Sequence, residues 1–163
     1  MSQENVDLVQ SIYTAWERGD YSSAAWAHPE IETVMADGPT PGIWTGVAGA
    51  AACWRDFLNV WEEYRSEVEE YRELDDERVL VLIRRSGRGK KSGIELGHVA
   101  ATGAVLYHFR GGKVTRQVVY LDREQSKLEI RWSSSPNGGG VARRPAPLPS
   151  GATARCGPCA TER

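Results

Sequence analysis

Cysteine is scarce in this 163-residue chain, and its count of three is odd, which excludes the paired disulfide framework of a small secreted domain. Cys53 stands alone in an apolar helical stretch, as a small core residue would. Cys156 and Cys159 spell Cys-Gly-Pro-Cys, the wording of thioredoxin-type redox sites. They have no strand before them and no helix after them, and they supply only half the ligands of a zinc site. The three histidines, His28, His98 and His108, show no metal-ligand spacing. Neither a metal nor any other cofactor is therefore expected. No apolar run approaches the roughly 20 residues that a membrane span needs. A net charge of only −2 gives no pull toward nucleic acid or an anionic membrane. The opening MSQENVDLVQSIY carries acids instead of a basic leader and begins a helical pattern at once, so a cytoplasmic protein without a signal peptide is expected.

The chain does have enough apolar residues, 40%, for one domain with a real core. That domain is expected over residues 1–130. Residues 131–163 are rich in Gly, Pro, Ser and Arg, carry five arginines and one glutamate, and lack apolar periodicity, so they read as a disordered tail. Within the domain, Val6, Val9, Tyr13 and Trp16 recur at helical spacing from Glu4 to Arg18, and Gly19-Asp20 ends that helix. A short second helix is expected over Tyr21–Trp26, broken at Pro29, followed by a strand over Glu30–Met35 and a loop over Asp37–Gly42. A third helix is expected from Val47 to about Tyr64, with Trp54, Phe57, Leu58 and Trp61 on one stripe.

The richest stretch runs from Asp76 to Asp122, where long apolar runs and the Gly111-Gly112-Lys113 turn predict three consecutive antiparallel strands. A weaker strand, Ser66–Leu74, precedes them. Arg78–Ser86 is apolar at both parities, so both of its faces must be covered. Helices cover one face, and a second copy of the chain is expected on the other, giving a homodimer through the outer sheet face. Arg84, Glu95 and Gln117 are expected to point inward among apolar neighbours, which suggests a lined pocket for a small organic ligand.

The Arg18-Gly19-Asp20 turn after a Trp16-bearing helix, the Trp44-Thr-Gly46 lead-in to the next helix and the Gly112-Lys113-Val114 hairpin, taken in order, resemble the SnoaL-like branch of the nuclear transport factor 2-like superfamily. The likeness covers residues 4 to 130. It implies an α+β fold, a cone-shaped curved sheet wrapped around N-terminal helices. Relatives include polyketide cyclases, ketosteroid isomerases and epoxide hydrolases, so the fold alone does not fix the chemistry. The isomerase reaction needs a carboxylate base and an oxyanion hole made by a phenol and a protonated carboxylic acid. The corresponding places here hold Ile12, Met35 or its neighbours, and Val105, which argues against steroid isomerisation.

The same placement puts Trp16, Trp54, Tyr107, Gln117 and Val119 on the pocket wall as binding residues, beside Val105 and Phe109. The candidate catalytic residues are Asp37, a base at the mouth of the fold, and Arg84, an anchor for a carboxylate or enolate oxygen. Each has a plainer reading. Asp37 precedes Gly38-Pro39 as a turn residue would, and Arg84 pairs with Glu95 if the hairpin turns near Gly89. Two functions follow: a cofactor-independent cyclase, isomerase or hydrolase-type enzyme, or a non-catalytic ligand-binding or protein-interaction module of the same fold.

Overall fold

The computed structural model describes residues 2–38, 40–90, 95–96 and 101–131. Helix α1 (Ser2–Glu17) buries Val6, Val9, Ile12 and Tyr13 on one stripe. It stops at Gly19, whose φ of +77° lets Gly19 N donate to Trp16 O and Asp20 N to Ala15 O. The short helix expected over Tyr21–Trp26 does not form. Its backbone is claimed by local side-chain bonds instead: Asp20 accepts from both the amide and the hydroxyl of Ser22, and Trp26 Nε1 donates to Ser23 O.

Strand β1 (Ala27–Met35), strand β2 (Gly42–Thr45) and helix α2 (Gly46–Asn59) follow. Helix α2 ends at Asn59, short of Tyr64, because the next residues have a ladder to join. Strand β3 (Trp61–Asp75) pairs with strand β4 (Arg78–Gly89), placing Trp61 opposite Gly89 and Glu62 opposite Arg88. The remaining elements are β5 (Glu95–Leu96), β6 (Thr102–Arg110), β7 (Lys113–Tyr120) and α3 (Arg123–Ile130). The three expected antiparallel strands are β4, β6 and β7, with β5 an extra pairing on β4. Gly111 and Gly112 both take positive φ in the two-residue turn between β6 and β7, the geometry that suits the twist of a hairpin.

The fold is α+β, and its curved sheet has the order β2-β1-β7-β6-β4-β3. Every neighbouring pair is antiparallel except β1 and β7, which run parallel with Thr33 beside Gln117. Both faces of β4 are buried, as its doubly apolar sequence requires. Val79, Val81 and Ile83 join Val105, Tyr107, Val119 and the residues of α1 and α2 in an inner core. Leu80 and Leu82 join Leu106, Val118 and Tyr120 in an outer one, with Ile130 of α3 packed against it. Part of the cover expected from a second copy thus comes from the chain's own helix α3, which packs on β6 and β7. The expected tail, its Cys-Gly-Pro-Cys and His98 lie outside the described residues.

One parity differs from expectation. Arg84 lies on the outer face with its side chain 64% exposed, and the inward arginine is its neighbour Arg85, buried to 4%. Arg84 stands opposite Glu67 and Thr102, while the backbone of Glu95 pairs with Arg88, so the register does not set Arg84 opposite Glu95. Arg84 donates instead to Glu69 Oε1 at 2.6 Å, and Arg123 donates to Glu69 Oε2 at 2.6 Å. Arg123 also donates to Ile83 O at 3.0 Å, so this clamp fastens α3 to β3 and β4. Burial by itself would raise the Glu69 pKa, but the two arginines overcome it and hold the carboxyl below its ordinary value of 4.5. A folded pKa held low stabilises the fold above the unfolded value, and the effect is lost as pH falls through the folded one. Glu69→Gln is therefore expected to cost about 1 kcal/mol near pH 7. Chemical denaturation at a series of pH values should show that difference closing below pH 4.5, the ordinary glutamate value.

Candidate functional site

Four strands carry one inward row. Val79 stands opposite Tyr107, Tyr107 opposite Gln117, and Gln117 beside Thr33, all with no exposed surface. Gln117 is the unusual member. Both its amide nitrogen and its amide oxygen are buried without a hydrogen-bond partner among the described residues, and so is Thr33 Oγ1. Native interiors rarely leave such groups unmet, so this pair marks a polar spot inside an apolar wall.

From α1, Tyr13 reaches the same row. Tyr107 Oη donates to Tyr13 Oη at 3.1 Å, which leaves the Tyr13 proton available to another acceptor. Burial raises the pKa of both phenols, so at neutral pH they are O–H donors and not bases. Tyr71 packs edge-on to Tyr13 at 6.2 Å and is likewise shifted upward by burial. Trp16 lies edge-on to Tyr13 at 5.2 Å and 6.4 Å from Trp54 between ring centres, and both indoles are partly buried. The five expected wall residues, Trp16, Trp54, Tyr107, Gln117 and Val119, therefore all belong to the inner side of the sheet.

A second polar group sits further along β4. Arg85 folds its guanidinium over Gly103 of β6, donating from Nη1 to Tyr120 O and Leu121 O, each at 3.3 Å. A Cβ on Gly103 would meet Arg85 Nη1 at 2.1 Å and Tyr120 O at 2.7 Å, so only glycine leaves room for the crossing. The Tyr64 phenol feels the charge of this guanidinium. Burial raises the Tyr64 pKa and the arginine opposes that rise.

The two candidate catalytic residues are not brought together. Asp37 sits after β1 and accepts from Leu121 N at 2.6 Å and Asp122 N at 2.9 Å, so both carboxylate oxygens hold the backbone between β7 and α3. Arg84 is on the opposite face of the sheet. Ile12, Met35 and Val105 are buried apolar residues, and no Asp or Glu is buried among the described residues. Sequence reasoning missed Tyr13 and Arg85. The signal for Tyr13 was its place on the buried stripe of α1, and the signal for Arg85 was its alternation with Val79, Val81 and Ile83.

Residues 9–117 match the SnoaL-like domain. The chain belongs to that family. No curated protein matches it. Among solved structures, an NTF2-like protein from Burkholderia xenovorans is 27% identical, with 76% of this chain and 93% of that one covered at a TM-score of 0.61. An NTF2-like protein of unknown function from Burkholderia pseudomallei is 22% identical, with 80% and 98% covered at a TM-score of 0.64. TerC, co-crystallised with polyporic acid, is 21% identical, with 79% and 99% covered at a TM-score of 0.61. The last two likenesses are likenesses of fold. This SnoaL-like chain thus shares the fold of these structures.

Gly103→Ala is expected to lose about 2 kcal/mol or more of stability, because Arg85 and the β7 backbone must both shift. In an Arg85→Ala background the same change should cost less, leaving only the Tyr120 carbonyl to move. Urea denaturation of the four proteins in this double-mutant cycle measures the coupling, and additive losses would show that Arg85 does not fill the notch.

Proposed function

We propose that this SnoaL-like domain binds a small organic ligand against the inner face of its sheet, in a pocket walled by Trp16, Trp54, Tyr107, Gln117 and Val119. The observation that carries the reading is Gln117, whose two amide atoms are buried and unmet among aromatic and aliphatic neighbours. An oxygen-bearing ligand would satisfy the amide nitrogen and accept the free Tyr13 proton. Polarisation of that oxygen by Tyr13, backed by Tyr107, is the chemistry a cofactor-independent cyclisation or isomerisation would use. TerC, which shares the fold, was co-crystallised with polyporic acid, in keeping with a small organic ligand here.

The second reading, a non-catalytic binding module, is favoured by the missing base. No carboxylate is buried among the described residues, and Asp37 is committed to two backbone amides. Any reaction supported here therefore rests on polarisation and on a proton the substrate itself can release. In this proposal Asp37 and Arg84 act by holding the mouth and the outer face, not by touching the ligand.

Replacing a buried, unpaired amide by an isosteric apolar group removes an unmet cost, so Gln117→Leu should raise the stability of the ligand-free protein by about 1 kcal/mol. It should also abolish ligand-induced stabilisation. Thermal shift over a library of small aromatic and polyketide-like compounds checks both parts, since saturation at a hundredfold the Kd adds about 2.7 kcal/mol to a binding-competent protein. A hit that stabilises wild type and variant equally places the ligand elsewhere.

The homodimer through the outer face is also proposed. It would be built on the outward side of α3, where Leu128 has a relative exposure of 74%. Sedimentation equilibrium at micromolar concentration is expected to give twice the chain mass, and Leu128→Glu should return the monomer. A wild-type protein that sediments as a monomer ends this proposal.

A further inference from the structure

Arg85 is a buried cation with no carboxylate within ion-pair distance among the described residues. Buried charges are ordinarily paired, because the cost of leaving water is offset only by a counter-charge and satisfied hydrogen bonds. Here the guanidinium has two neutral carbonyls, Tyr120 O and Leu121 O, at long distances of 3.3 to 3.4 Å. Its Nε is buried and unpartnered. On the neighbouring strand β3, Trp61 Nε1 is a second buried donor without an acceptor among the described residues. Trp61 and Tyr64 are joined through Phe57, whose ring centre lies 6.4 Å from the indole and 5.4 Å from the phenol. Two unmet N–H donors and one uncompensated positive charge therefore lie toward the Trp61–Gly89 end of the β3–β4 ladder.

We propose that Arg85 is the anchor of an anion site, and that the ligand of this domain is an aromatic or polyketide-like carboxylic acid whose carboxylate meets Arg85 Nε–H at that end. The proposal rests on the reading that a small organic ligand occupies the inner face, and it assigns that ligand its charge and its orientation. A carboxylate fits better than a phosphate, because one guanidinium balances a single charge and no second buried cation is present among the described residues. The body of the acid then runs along the inner face, between the aromatic wall and the Tyr13–Tyr107 pair. Gly103 completes the site, since its missing side chain is what lets the guanidinium lie flat across β6.

The test uses the full chain and a panel of naphthalene, biphenyl and anthracene monocarboxylates, each beside its own neutral primary amide, measured by calorimetry. At least one acid is expected to bind about tenfold or more tightly than its amide. In Arg85→Met that preference should vanish while amide binding persists, and Arg85→Lys should keep part of it. If both variants fail to fold, the side-chain Nε–H resonance of Arg85 in wild-type protein serves instead, and should shift with the acid but not with its amide. Acids and amides that bind equally, with binding lost in Gln117→Leu, overturn the anion site and leave the organic-ligand reading standing. An acid preference that survives Arg85→Met also overturns it, and a panel in which nothing binds overturns both readings.

Discussion

Backbone register across β4, β6, β7 and β1 is the constraint on which the rest of this structure depends. It sets Val79, Tyr107, Gln117 and Thr33 side by side, and side-chain alternation along each strand then fixes every other inward position. A slip of one residue in any of these ladders would carry Gln117 or Tyr107 to the outer face and replace it with Arg116, Val118, Leu106 or His108. The outer face has its own apolar set, so register is held by two cores at once.

Helix α1 uses that register. Its buried stripe would be adequately filled by aliphatic residues, yet at Tyr13 it delivers a phenol to the one inward row that contains another phenol and an amide. The charge of Arg85 is felt at Tyr13 as well, though less than burial and the Tyr107 hydrogen bond. The donors along this seam include the Tyr13 hydroxyl and the Gln117 amide nitrogen, and no carboxylate is buried there among the described residues. Such an interior is suited to receiving oxygen atoms with partial or full negative charge and unsuited to pulling protons from carbon.

Much of this was legible in the sequence. The stripe of α1, the glycine that ends it and the Gly111-Gly112 hairpin follow from local patterns, whereas the inward places of Tyr107, Gln117 and Val119 came with the family resemblance. The phase of β4 did not. A strand apolar on both faces gives alternation nothing to lock onto, so its Arg84-Arg85 doublet can be assigned to a face only by the partners β3 and β6. Trp61 and Tyr64 continue the helical stripe of α2 and were read as helix, although a ladder with Arg88 and Gly89 claims that stretch. Helix α3 has little apolar signal. It is fixed instead by the Asp122 cap and by Arg123, whose partners on β3, β4 and β6 are remote in sequence.

The parallel pairing of β1 with β7 bears on how the chain reaches this state. Strands β3 to β7 form by hairpin-like contacts between near neighbours, whereas joining β1 to β7 brings together segments that Asp37 and Leu121 show to be 84 residues apart. Loop closure of that length adds little to the equilibrium cost but weighs on the folding rate, so the seam is expected to zip last. Thr33 and Gln117 lie on that seam. The polar heart of the interior is therefore assembled in the final folding event, and would be among the first parts to open when the domain breathes.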